Sequence, residues 1–245
     1  MQIECIDKYL LCIINRKKYH NMENLNDLII QKARPLPVVI LADISGSMAS
    51  DNKIGILNNA IREMIDSLKD ENSLRAEIYF SVITFGGDVK PHINFTKANE
   101  INWVDLSANG RTPMGKAFEA TKTLLEDKTI IPSRSYAPTL VLLSDGIPTD
   151  NWEDPLNQLL SSPRASKAFR IAMSIGAGQD GKIVLKQFLG DSELDVFEAV
   201  QARDIKKFFR FVTMSVSQRA KSVNPNQPVS VSFDDSDENL DNFEF

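Results

Sequence analysis

A chain of 245 residues that is 42% hydrophobic has enough apolar material for one sizeable core and too little for two large domains. Its formal charge is −5, yet six acids (Asp234, Asp235, Asp237, Glu238, Asp241 and Glu244) lie in 222–245, which has no Lys or Arg, and the rest holds 27 acidic against 28 basic residues. That balance implies neither a basic nucleic-acid surface nor a polybasic membrane patch. The only cysteines, Cys5 and Cys12, rule out a disulfide framework and a cysteine-based zinc site. The run "YLLCII" (9–14) is short and is followed by "RKK" rather than preceded by positive charge. No segment approaches the roughly 18 uninterrupted apolar residues of a membrane span, so the chain is expected to be cytoplasmic.

In chain order, "PVVILAD" (37–43) is a continuous apolar run, the pattern of a strand covered on both faces. In 53–70, Ile54, Leu57, Ile61, Met64, Ile65 and Leu68 fall on one helical stripe, with Lys, Arg, Glu and Asp opposite. A second strand is predicted at 76–86, and a short one at 89–95 whose Pro91 suits a sheet edge. A helix follows at 113–127 with Pro113 in its first turn, then an apolar strand, "PTLVLLSDG" (138–146). "NWEDPLNQLLSSP" predicts a short helix, 168–178 a strand, 182–190 a helix, 195–200 a short strand and 202–220 a closing amphipathic helix. In that last helix, two of Phe208, Phe209 and Phe211 are expected to face the sheet and the third to be exposed. Alternating strands and helices imply an α/β fold, a doubly wound and mostly parallel sheet with one antiparallel edge strand and helices on both faces.

Both ends read as peripheral. Residues 1–21 do not continue the alternation and form an extension or pair along the sheet; the domain is taken as 22–221. Residues 222–245 have the polar, acidic composition of a disordered tail, in which Phe233, Phe243 and Phe245 leave open a short docking segment.

Ligands of open α/β sheets collect beyond the carboxyl ends of the strands, where the strand order reverses. "LADISGSM" ends the first strand, "LLSDGIPTD" ends a later one, and in a doubly wound sheet the two are neighbours. Asp43 and Asp145 then face each other across the crevice, and "NGRTPMG" brings Thr112 to the start of a helix. Two close carboxylates repel unless positive charge lies between them. Ser45, Ser47 and Thr112 add hydroxyl oxygens, giving five hard donors that suit Mg²⁺, Mn²⁺ or Ca²⁺ rather than zinc or copper. Ser45 and Ser47, two apart, are expected to turn inward together, while Gly46, Gly110 and Gly146 allow sharp turns.

This set, D-x-S-x-S, a distant Thr before a helix and an apolar strand ending in S-D-G, resembles the von Willebrand factor A domain with its metal-ion-dependent adhesion site. The resemblance covers about residues 36–220 and assigns Asp43, Ser45, Ser47, Thr112 and Asp145 to the metal. It implies an open coordination position filled by a partner's Asp or Glu, which makes the domain a binding module rather than an enzyme. "MENLNDLIIQKARPLPVVILADISGSM" and "LLSDGIPTD" further resemble the bacterial TerY-type, tellurite-resistance-associated branch. That branch implies an intracellular stress or phage-defence setting, with a protein kinase and a PP2C-like phosphatase as partners. Relatives often have Gly-Gly-Thr where this chain has Gly110-Arg111-Thr112; Arg111 either draws in an acidic partner or forms a surface ion pair.

Catalytic readings find less support. A haloacid-dehalogenase-type phosphatase needs an Asp where Ser45 stands. A Ser-His-Asp hydrolase needs a histidine, and only His20, in the doubtful N-terminal segment, and His92, expected idle and exposed on an edge strand, exist. Neither G-x-G-x-x-G after the first strand nor a P-loop motif is present. Metal-assisted phosphoester hydrolysis is the enzymatic alternative; a secreted adhesion protein and a co-chaperone are the rivals within the fold. Trp103 and Trp152 are read as packing residues or as rim contacts to a partner.

Overall fold

The computed structural model describes residues 33–71, 73–190 and 194–227. The chain divides into two compact units, Met1–Lys32 and Ala33–Phe245, and all described residues fall in the second. The expected extension at 1–21, the domain start at 22 and the tail beyond Gln227 lie outside the described residues.

Among the described residues, six strands form one sheet: β1 (Arg34–Asp43), β2 (Ala76–Gly86), β3 (Asp88–Lys97), β4 (Thr139–Ser144), β5 (Phe169–Ile175) and β6 (Phe197–Ala199). Their order is β3-β2-β1-β4-β5-β6, so sequence order reverses between β1 and β4. All pairings are parallel except β2 with β3, the antiparallel edge. Pro91 lies on that edge, as expected of a residue without an N–H to give a ladder, although β3 runs longer than the sequence predicts.

Among the described residues, five α-helices cover the sheet: α1 (Lys53–Lys69), α2 (Met114–Glu126), α3 (Glu153–Leu160), α4 (Gln179–Leu189) and α5 (Ala202–Lys221). β1 shows why its sequence is apolar throughout. Val38, Ile40 and Ala42 join a core with Leu57, Ile61 and Met64 of α1 and Phe208 and Val212 of α5. Val39 and Leu41 join a second core with Phe118 of α2, Leu156 of α3 and Phe188 of α4. Successive side chains of a strand point to opposite faces, so a central strand between two helical layers has no solvent face. Burying each such Leu, Ile or Val fully is worth roughly 1.5–3 kcal/mol, which fixes the register of β1 against β4.

The structure corrects the expectation for the closing helix. Phe208, Phe209 and Phe211 are all buried; Phe197 of β6 lies 5.2 Å from Phe208 and 5.1 Å from Phe211 between ring centres. The short sixth strand supplies a cover that helical periodicity does not reveal. In the last turn of α5, Arg219 is buried and donates to the carbonyls of Pro225 and Ala137 and to the Thr139 hydroxyl, with its guanidinium 3.8 Å from the ring centre of Phe169. Burial lowers its pKa to about 9. Asn226 accepts from the Ala137 N–H, so the segment up to Gln227 is fastened to the start of β4.

Candidate metal centre at the sheet crest

The carboxyl ends of β1 and β4 lie side by side, with Ala42 paired to Leu143, so Asp43 and Asp145 come off adjacent strands at the point of reversal. The Asp43 side chain is buried. One of its oxygens accepts the Ser45 N–H at 2.8 Å, and the other accepts the Ser144 hydroxyl at 2.6 Å. A short relay continues from there. The Ser45 and Ser47 hydroxyl oxygens are 3.0 Å apart, and Ser47 donates to Asp145 Oδ1 at 2.7 Å. Asp145 Oδ2 accepts from the Lys53 ammonium at 2.9 Å.

The two serines meet for a reason other than strand alternation. β1 ends at Asp43, and Gly46–Asn52 winds as a 3₁₀ turn whose first bond runs from the Met48 N–H to the Ser45 carbonyl. Met48 drops into the core and anchors that turn. The strand end fixes Asp43, and the turn presents both hydroxyls.

Thr112 reaches the crest through backbone bonds between three loops. Asn109 N–H donates to the Ile44 carbonyl, Gly46 N–H to the Gly110 carbonyl, and Gly87 N–H to the Arg111 carbonyl. Gly110 has φ +79°, and a Cβ on it would stand 2.3 Å from the Gly87 nitrogen, so no other residue fits there. On the far side, the Thr149 N–H donates to the Thr112 carbonyl. The Asp150 carboxylate accepts the Gly115 and Lys116 N–H groups at 2.9 and 3.0 Å, capping the open end of α2. Thr112 is buried, and its hydroxyl oxygen is 3.4 Å from where a Cβ on Gly146 would lie, beside the Asp145 turn. Asp43, Ser45, Ser47 and Asp145 are thus joined by hydrogen bonds, and Thr112 borders them.

Arg111 is exposed on the rim, with its backbone tied into the loop junction. Ile147, on the other side of the crest, is 55% exposed, an apolar surface beside the charged groups. Three participants escape the sequence reading. Ser144 sits inside a run taken as strand. Lys53 falls on the charged side of its helix, opposite the apolar stripe, and Asp150 closes the "SDGIPTD" turn with no periodicity to mark it. His92 also departs from expectation: it is half-buried, its Nε2 is 2.8 Å from the Val104 carbonyl, and its ring meets Trp103 edge-on at 5.0 Å.

Burial pushes the Asp43 carboxyl up to about 6; the hydrogen bonds from Ser144 and Ser45 pull it down, and the Asp145 charge adds to the rise. A buried carboxylate held at that cost is one that a cation stabilises. Among the described residues no group of three or more His, Cys, Asp or Glu side chains is placed to hold a metal ion. Any cation at the crest therefore draws on hydroxyls and water as well as two carboxylates. Such an all-oxygen set fits Mg²⁺, Mn²⁺ or Ca²⁺, which accept hydroxyl, carboxylate and water oxygens together.

A doubly wound sheet with a D-x-S-x-S turn, a buried Thr and an Asp meeting at its crest is the arrangement that the resemblance to the von Willebrand factor A domain implies. A family model of the von Willebrand factor type A domain matches residues 38–147, which include all five expected metal residues. Solved structures share the fold. Proximal thread matrix protein 1 from the mussel byssus, with a zinc-occupied MIDAS motif, is 16% identical with a TM-score of 0.57, over 74% of this chain and 48% of that one. The ArnB paralog VWA2 from Sulfolobus acidocaldarius is 19% identical with a TM-score of 0.53, over 78% and 46%. The pilus adhesin SpaC from Lactobacillus rhamnosus GG is 13% identical with a TM-score of 0.61, over 77% and 30%. The matched part is thus less than half of each of these proteins. A search of curated proteins finds no match. The family model spans less than half of the chain, and the solved structures establish the shared fold. Among the described residues, no helix is long and apolar enough to cross a membrane.

Proposed function

We propose that this domain is a divalent-cation-dependent protein-interaction module whose ligand is an Asp or Glu carboxylate of a partner protein. The observation that carries the reading is the relay from Asp43 through Ser45 and Ser47 to Asp145, four oxygen-bearing side chains linked across two strand ends. Asp43, Ser45, Ser47, Thr112 and Asp145 would hold the cation, with Mg²⁺ the preferred ion. When bound, it supplies a Lewis-acidic position for a partner carboxylate.

The chain's own residues do the remaining work. Ser144 and the Ser45 N–H hold Asp43 in one orientation, and the glycine junction at 87 and 110 keeps Thr112 at the crest. Arg111, exposed beside it, adds a second cation for an acidic partner, while Ile147 offers an apolar contact next to the charge. Charged groups of this kind fix orientation and steer encounter, and a desolvated apolar neighbour adds affinity. The mussel protein's zinc-occupied site supports a divalent cation at this position of the fold. No general base or phosphate-clamping arginine pair stands out in the sequence, and the reading is accordingly non-catalytic.

The TerY-type branch, a stress or phage-defence role, and a kinase and PP2C-like phosphatase as partners belong to the same proposal. They rest on the sequence resemblance at 22–48 and 142–150. A cytoplasmic setting agrees with the sparse cysteines. The test is to titrate Mg²⁺ against the thermal midpoint of the wild type and of Asp43→Ala, and to capture partners from native cells with and without chelator. A midpoint shift confined to the wild type supports the reading, as does metal-dependent capture lost in Ser45→Ala/Ser47→Ala. An equal absence of shift in both proteins removes the metal from the account.

A further inference from the structure

We infer that Lys53 is an internal cation that competes with the divalent ion for Asp145, so that the crest binds metal weakly alone and loads fully only together with a partner's carboxylate. The inference rests on the reading of the crest as a metal site. Lys53 is the first residue of α1, and its ammonium is 2.9 Å from Asp145 Oδ2; the Asp145 side chain is fully buried and that of Lys53 only 21% exposed. The contact is held from behind. Asp51 and Asn52 both have φ +53°, a left-handed pair of non-glycine residues that turns the chain so that α1 begins at Lys53. Asp and Asn are the non-glycine residues that adopt this conformation most readily, so the turn suits its sequence. A Cβ on Gly176, after β5, would stand 3.9 Å from the ammonium, so the lysine reaches across the end of β4.

The electrostatics follow from counting charges. Asp43 and Asp145 ionised carry two negative charges, and Lys53 cancels one of them. A divalent ion brought among these groups meets an ammonium bonded to one of its own ligands. It either displaces the lysine from Asp145 or shares the carboxylate with it, and both weaken its binding. Once loaded, the crest carries a net positive charge, where without the lysine it would be neutral. A partner carboxylate then neutralises that charge, so metal and partner stabilise each other by reciprocal linkage. The same ammonium holds the buried Asp145 charge when the ion is gone.

The test uses Mg²⁺ and Mn²⁺ alone as probes, by calorimetric titration and by thermal unfolding, on wild type, Lys53→Met, Lys53→Gln and Lys53→Arg. Lys53→Met and Lys53→Gln should bind both ions roughly tenfold more tightly or better, while Lys53→Arg stays near wild type. In chelator, the two neutral variants should melt below wild type, and saturating metal should reverse that order. Circular dichroism checks that each variant is folded. Equal or weaker metal binding in both neutral variants overturns the role of Lys53 and leaves the metal site standing. Absence of binding in all four proteins overturns the metal site and this inference with it.

Discussion

The Ser144 hydroxyl donates to Asp43 Oδ2 at 2.6 Å, joining the end of β4 to the end of β1 at the point where strand order reverses. The bond stabilises the ionised form of a buried carboxylate, and Ser144 is the largest of the influences that lower its pKa. Ser144→Ala should therefore raise the Asp43 pKa beyond about 6 and destabilise the protein at neutral pH by about 1.5–3 kcal/mol, as for a lost hydrogen bond to a charged group. Urea unfolding in chelator and carboxyl-carbon NMR titration measure the two effects.

Asp43 also sets a pH dependence with a definite sign. Its folded pKa of about 6 exceeds the ordinary 3.8, so the folded state holds the proton more tightly than the unfolded chain. The associated stability is fully present below about pH 4 and is lost as pH rises through about 6, a change of roughly 3 kcal/mol. Asp43→Asn removes that loss. In chelator it should be the more stable protein at neutral pH, with the advantage vanishing near pH 4. Because the metal needs the ionised form, wild-type metal affinity should fall as pH drops below about 6, nearing tenfold per unit. Denaturant midpoints and Mn²⁺ binding across that range check both statements.

Asp150 never touches the relay yet holds the loop that carries Thr112. Asp150→Asn leaves one of the Gly115 and Lys116 N–H groups without its carboxylate oxygen and removes a negative charge from the N-terminus of α2. A loss of about 1 kcal/mol in stability is expected, typical of a helix cap. Metal binding should weaken alongside, several-fold, because Thr112 and Asp150 belong to one stitched segment. Calorimetric titration of Mg²⁺ on the folded variant decides the second part.

Arg219 tests the opposite end of the sheet. Arg219→Met keeps much of the side-chain volume but strands the Pro225 and Ala137 carbonyls and the Thr139 hydroxyl. Unfolding experiments should show a loss of at least about 2–3 kcal/mol. Metal affinity of the folded variant should match wild type, since this site is remote from the crest.

Asp43, Ser45, Ser47 and Asp145 were legible because buried strands announce themselves by apolar runs and the residues that follow them must be turn or ligand. The adjacency of β1 and β4 was legible for the same reason: only central strands are apolar on both faces. Lys53, Ser144 and Asp150 were not, since their roles depend on where a hydroxyl, an ammonium or a cap lands after the chain has folded, and no periodicity encodes that. The burial of all three phenylalanines of α5, where the sequence implies only two, escapes for a related reason. Helical spacing does not show the short late strand whose Phe197 packs against Phe208 and Phe211. The two-residue spacing of Ser45 and Ser47 is visible in the sequence, but the 3₁₀ turn that brings their hydroxyls together is not.

At the glycine junction, side chains are excluded by main-chain atoms: a Cβ on Gly86 would meet the Ile44 and Asn109 carbonyl oxygens at 2.6 and 2.7 Å, and one on Gly110 would strike Gly87. Residues 86 and 110 are thereby closed to variation, whatever this protein recognises. New specificities must be written on the projecting positions around that knot, 111 and 147 foremost, and a randomised library confined to them would change the target while leaving the scaffold alone.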